Sequence, residues 1–108
     1  MKMLTKAIIA KLPALYSTES VPLEQKVAVV KFFTPWSNWT WYAVEGEQWD
    51  DDFRFFGRVD GQESEWGYFT LSELESVRGK FGLKIERDLH FGPQPLPKAS
   101  ANPPITPL

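Results

Sequence analysis

Glu86, Asp88 and His90 alternate along one stretch, Ile85 to Phe91, and in type and spacing they come nearest to chemistry. In a strand, the period of two puts both carboxylates and the imidazole on one face. Such a set can hold a divalent metal or move protons. His90 is the one histidine of the chain, so further ligands would have to be carboxylates such as Glu73 or Glu75. The more economical reading is the wet face of an edge strand, with structural ion pairs around Arg87. Asp50-Asp51-Asp52 lacks the alternating ligands, mid-loop glycine and closing glutamate of a calcium loop. Gly57, Gly61 and Gly67 fall at strand ends and turns and form no phosphate loop, and neither Ser37 nor Ser72 has a nucleophile's setting. With one histidine and no cysteine, the expectation is a protein that is not an enzyme and takes no cofactor.

The totals narrow the class further. A chain of 108 residues makes one domain. Without cysteine, disulfides, thiolate metal sites and cysteine nucleophiles are excluded. No apolar run approaches the length of a membrane span, and Ala7 to Ala10 is too short for a secretory signal. A soluble cytoplasmic protein is expected, with no membrane partner. The net charge of −2 hides an asymmetry. Residues 1–44 carry +3, residues 45–66 carry −6, residues 67–91 balance, and Lys98 adds +1. A general nucleic-acid binder shows the opposite bias.

The pattern predicts the elements that must position these residues. Thr5 caps a helix from Lys6 to about Leu12, with Leu4, Ile8, Ile9 and Leu12 on one face. Val27 to Thr34 reads as a central strand, apolar on both faces and stopped by Pro35. Pro35 to Asn38 is a turn. Trp39–Glu45, Phe53–Asp60 and Trp66–Leu71 follow as strands. Ser72 and Glu75 have capping-box spacing and open a second helix. Leu71, Leu74, Val77 and Phe81 form its apolar side, Gly82 stops it, and Ile85–Phe91 is the fifth strand. Six of the nine prolines lie beyond Gly92, so residues 92–108 are expected to be a disordered tail. The predicted class is α+β. One domain over 1–91 carries a mainly antiparallel five-stranded sheet and two short helices, in the order α-β-β-β-β-α-β.

Several of these pieces together resemble a family of small bacterial proteins known as domain of unknown function 2958. They are Val30-Lys31-Phe32-Phe33-Thr34-Pro35, Thr40-Trp41-Tyr42, Phe56-Gly57, Gly67 to Glu75, and Ile85 to Phe91. In the usual pattern an acidic residue directly precedes the Gly-Tyr pair; here Trp66 stands between Glu65 and Gly67. The resemblance implies a protein of plasmids and conjugative elements. It brings no catalytic residues with it.

The five tryptophans, Trp36, Trp39, Trp41, Trp49 and Trp66, all lie in the sheet half. Trp41 and Trp66 are expected in the core. Trp36, Trp39 and Trp49, with Asp50, Asp51 and Asp52, are the candidate binding residues. Tryptophan anchors protein interfaces and also stacks single-stranded bases. The acidic surroundings disfavour the second. The expectation is therefore a non-enzymatic protein-interaction module of mobile-element origin. Its unidentified protein partner would be a host nucleic-acid-processing or defence protein. Single-stranded nucleic-acid binding is the alternative.

Overall fold

The computed structural model describes residues 2–99. Its elements are α1 (Lys6–Lys11), β1 (Val27–Ala28), β2 (Val30–Phe33), β3 (Thr40–Trp49), β4 (Asp52–Asp60), β5 (Ser64–Thr70), α2 (Leu71–Ser76), β6 (Glu86–Arg87) and β7 (Gln94–Pro95). Short 3-10 turns occupy Leu23–Gln25 and Lys80–Gly82. The five-stranded sheet has the order β5-β4-β3-β2-β6, with every neighbour antiparallel. The α+β class and the two short helices are as the sequence predicts.

The core lies on one face of this sheet. Phe55 is its centre, meeting Phe32 edge-on at 5.6 Å and stacking on Phe69 at 5.2 Å. Leu12 from the end of α1 and Leu74 from α2 pack into the same cluster, so both helices cover that face. Thr5 caps α1 as expected, accepting the Ile8 N–H at 3.2 Å. Leu4, Ile8 and Leu12 face inward, whereas Ile9 is left exposed. At about 3.6 residues per turn Ile9 stands about 100° round from Ile8 and about 140° from Leu4, so the stripe that buries those two turns Ile9 outward.

Five elements depart from expectation. The strand expected over Trp39–Glu45 runs on to Trp49 as β3. The strand predicted over Val27–Thr34 breaks at Val29 into β1 and β2. Helix α2 is capped by Thr70, whose hydroxyl accepts the Glu73 N–H while Glu73 accepts the Thr70 N–H at 2.8 Å. The box thus sits two residues upstream of Ser72 and Glu75. The helix ends at Ser76, so Val77 and Phe81 lie outside it. The fifth strand of the sheet is only Glu86–Arg87, prolonged by one bond from the Asp88 N–H to the Lys31 carbonyl at 2.9 Å. The tail expected from Gly92 onward begins instead with a pairing. Gln94 and Pro95 lie opposite Ala28 and Val27 in a small two-stranded ladder. Ser100 to Leu108 fall outside the described residues.

One irregularity decides what the second face of the sheet carries. Between Ala43 and Glu45, β3 shifts register against β4, leaving Val44 as the extra residue. Tyr42 faces away from the core, so strict alternation would turn Glu45 toward it. The bulge restores Glu45 to the outer face, opposite Phe56. At the same place Gly57 is approached so closely that a Cβ would lie 1.9 Å from the Tyr42 carbonyl oxygen.

Candidate functional site: the outer face of the sheet

The outer face is built from cross-strand rows. Tyr42, Arg58 and Trp66 form one row across β3, β4 and β5. Glu45, Phe56 and Tyr68 form the next, and Glu47, Arg54 and Thr70 the third. Cross-strand neighbours stand within side-chain reach, so each row is a chain of contacts. The Phe56 ring lies 5.7 Å from Trp66, nearly parallel, and 5.1 Å from Tyr68. The Arg54 guanidinium sits 4.5 Å over the Tyr68 ring and 4.7 Å over Trp49. The result is a continuous ladder, Trp49–Arg54–Tyr68–Phe56–Trp66, of which Trp49 and Tyr68 are more than two-fifths exposed.

The charges on this face are largely committed. Arg58 is buried and holds Asp60 through two hydrogen bonds of 2.9 and 3.0 Å, with its guanidinium over the Tyr42 ring. Burial pushes the Tyr42 phenol above its usual pKa, and the Asp60 carboxylate adds to this. Partial desolvation and the neighbouring Tyr16 raise the Tyr68 phenol likewise. Glu45 is buried and accepts the backbone N–H groups of Tyr16 and Thr18 and the Thr18 hydroxyl. Lys26, also buried, donates to the Thr18 carbonyl and hydroxyl from the other side. Glu47 accepts the Leu15 N–H at 2.8 Å. Two acids of the negative segment thus fasten residues 15–18 onto the sheet.

That fastening forms a cleft of about 400 Å³ between the segment and the sheet. Tyr16, Phe56 and Tyr68 supply its aromatic walls, and Glu19, Glu45 and Lys26 its charges. Tyr16 packs 6.0 Å from Tyr68, which makes the ladder and the cleft one surface. Of this surface only Trp49 is among the sequence-derived binding residues; Tyr16, Arg54, Phe56, Trp66 and Tyr68 are not. The signal for the ladder was present in the alternation of Arg54, Phe56 and Arg58 with Phe53, Phe55 and Val59. Nothing local marks Tyr16.

The sequence-derived binding residues do not form one patch. Trp36 packs against the core and over Gly79. Trp39 stands 42% exposed at the opposite end of β3 from Trp49, against Trp41 and over Gly61. The ten residues of β3 separate the two ends by about 30 Å. Asp50 and Asp51 form the exposed tip of the β3–β4 hairpin, and Asp52 is bonded to Ser72. Of the two tryptophans expected in the core, Trp41 packs against it and Trp66 lies on the outer face.

The metal candidates are likewise dispersed. Asp88 pairs with Lys31 at 3.6 Å and accepts the His90 N–H through its side chain. Glu86 faces a different cleft, beside Arg78 and Lys84. Among the described residues no three His, Cys, Asp or Glu side chains converge as a metal site would need. No helix among them is long and apolar enough to cross a membrane.

No curated protein and no solved structure matches the chain. The model of one family, described as a protein of unknown function (DUF2958), matches residues 3–98. That span takes in both helices, the whole sheet and the outer face just described, so the chain belongs to the DUF2958 family.

Proposed function

We propose that this is a non-enzymatic protein-interaction module that engages its partner through the outer face of the sheet. The observation that carries this reading is the exposed ladder Trp49–Arg54–Tyr68–Phe56–Trp66 beside the Tyr16 cleft. Tryptophan, tyrosine and arginine are the residues that dominate protein interfaces, and here they are prepositioned by a rigid sheet. A cytoplasmic partner encoded by the host of a mobile element fits the expectation drawn from the family's resemblance. The acidic segment contributes less to such contact than its charge suggests, because Glu45, Glu47, Asp52 and Asp60 are already bonded within the chain.

Single-stranded nucleic acid is the second reading, favoured by the aromatic sheet face itself. Against it, the cations of that face are engaged, Arg54 between rings, Arg58 with Asp60, Lys31 with Asp88 and Lys26 with Thr18. Phosphates need free cations.

The experiment is cross-linked capture in the host, comparing the native chain with Tyr68→Ala and Trp66→Ala. A partner retained by the native chain should bind each variant about 30-fold more weakly, the loss of about 2 kcal/mol expected of an aromatic anchor. Equal capture by folded variants would sink the outer-face reading. Salt-sensitive quenching of tryptophan fluorescence by oligonucleotides, lost in Trp66→Ala, would promote the nucleic-acid reading in its place.

A further inference from the structure

Phe81 is 98% exposed, and its backbone lies in the left-handed region with φ 60° and ψ 23°. That region is unfavourable for a bulky side chain, and no burial of the ring offsets it. The turn that carries Phe81 is nonetheless firmly closed. The Gly79 N–H donates to the Leu83 carbonyl at 2.7 Å, and the Leu83 N–H donates to Lys80 at 3.1 Å. Arg78 and Lys84 pair across its base. The Trp36 indole lies over Gly79 so closely that a Cβ there would meet the ring at 2.2 Å. The phenyl ring is therefore held outward on a fixed base, with Arg78, Lys80 and Lys84 in and beside its turn; the Arg78 guanidinium also donates to the Glu75 and Val77 carbonyls. No carboxylate among the described residues pairs with these three cations.

A complementary surface lies nearby on the helix side of the sheet. A cleft of about 430 Å³ is lined by Leu4, Ile9, Phe53 and Leu71, together with Asp51, Asp52 and Glu75. Ile9 stands 43% exposed beside it. Glu75 also borders the adjoining cleft of Arg78 and Lys84, so knob and cleft are neighbours along α2. An apolar knob with three cations in and beside its turn, next to a cleft whose apolar residues Leu4, Ile9, Phe53 and Leu71 are bordered by Gln48, Ser72 and three carboxylates, suits a two-fold pairing in which each copy fills the other.

We infer that a second copy of this chain docks here, the Phe81 ring of each entering the Leu4–Ile9–Phe53–Leu71 cleft of the other. Arg78, Lys80 and Lys84 then face Asp51 and Glu75 across the interface, with Asp52 held by Ser72 at its border. An anionic lipid surface is the other chemistry that one ring and three cations suit, but it would bring the neighbouring carboxylates against like charge. The docking involves the side of the sheet away from the aromatic ladder, and it stands or falls independently of the proposed function.

Sedimentation velocity from low micromolar to near-millimolar concentration tests it. The native chain should pass from monomer to dimer. Phe81→Gly, whose residue suits the left-handed backbone, should weaken the dimer at least tenfold without lowering the melting temperature of the monomer at low micromolar concentration. Lys80→Glu should weaken it as well, and Lys80→Glu combined with Asp51→Lys should recover it. A native chain that stays monomeric throughout, or a dimer indifferent to Phe81→Gly, overturns the inference. A monomer that instead binds phosphatidylserine vesicles through Phe81 overturns it in favour of a lipid surface.

Discussion

Glu45 accepts the backbone N–H of Tyr16 at 2.8 Å, across 29 residues of sequence, and holds Tyr16 in a left-handed backbone with φ 69°. The same carboxylate takes the Thr18 N–H and hydroxyl. A buried acceptor of several donors leaves them all unpaired when it is removed, and each buried unpaired group costs about 1–3 kcal/mol. Glu45→Ala should therefore destabilise the domain by about 3 kcal/mol. Urea denaturation measures the loss, and hydrogen exchange should localise it to residues 15–18. A change within experimental error would mean that this segment is held by something other than Glu45.

Thr70, and not Ser72, sets the start of α2. Its hydroxyl accepts the Glu73 N–H at 3.2 Å, and Glu73 reciprocates. Thr70→Ala should cost about 1 kcal/mol, the usual loss for a helix cap. Ser72→Ala should cost less, since its hydroxyl donates to Asp52 and leaves the cap intact. Thermal melts of the two variants rank them, and the reverse order would return the cap to Ser72.

Much of the fold follows from signals within a few residues. Phe53, Phe55 and Val59 alternate with Arg54, Phe56 and Arg58, and that period of two fixes β4 and its two faces. Thr5 before Lys6 marks α1 in the same way. The departures come from contacts distant in sequence. Both Thr70 and Ser72 precede a helical pattern with a glutamate three residues on, and only the pairing of Asp52 with Ser72 decides between them. The β3 bulge depends on the fit of Ala43 to Gly57, which no local pattern encodes. For the candidate surface, the aromatic residues were visible and their grouping was not. Trp39 and Trp49 are near in sequence but at opposite ends of one strand, while Tyr16 and Tyr68 meet across half the chain.

Asp52 gives the domain a pH signature. Its carboxylate accepts the Ser72 hydroxyl at 2.5 Å and the N–H groups of Phe53 and Ser72, which hold its pKa below the ordinary 3.8. A group with a depressed folded pKa stabilises fully above its unfolded pKa and loses that contribution as pH falls through the folded pKa. Stability should thus fall on acidification below about pH 4 more steeply in the native chain than in Asp52→Asn. Carboxyl NMR titration should find Asp52 titrating below 3.8, and closer to it in Ser72→Ala. An Asp52 that titrates at or above 3.8 would show that the Ser72 bond does not persist in solution.

Gly57 and Gly67 pair across β4 and β5, yet they should respond oppositely to alanine. A Cβ at Gly57 would lie 1.9 Å from the Tyr42 oxygen and 3.0 Å from the Ala43 Cα, both backbone atoms that cannot swing aside. At Gly67 nothing lies within 4 Å. Gly57→Ala should cost about 4 kcal/mol or more and yield little folded protein. Gly67→Ala should be tolerated, because alanine reduces the entropy of the unfolded chain without a clash. Circular dichroism of the two purified variants makes the comparison, and a well-folded Gly57→Ala would remove the close approach on which the bulge depends.

Phe81 separates stability from association in a single side chain. The ring is 98% exposed, so removing it forfeits almost no packing. Its φ of 60° costs an L-residue about 1 kcal/mol relative to glycine. Glycine in turn gives the unfolded chain more freedom, which returns about half of that gain. Phe81→Gly should accordingly leave the monomer as stable as the native chain or slightly more so, measured by denaturation at low micromolar concentration where any dimer has dissociated. At high concentration the order should invert, because a dimer stabilises only the chain that forms it. A Phe81→Gly chain that is less stable than the native one at both concentrations would show that the ring packs on its own domain, and the exposed knob would not exist in solution.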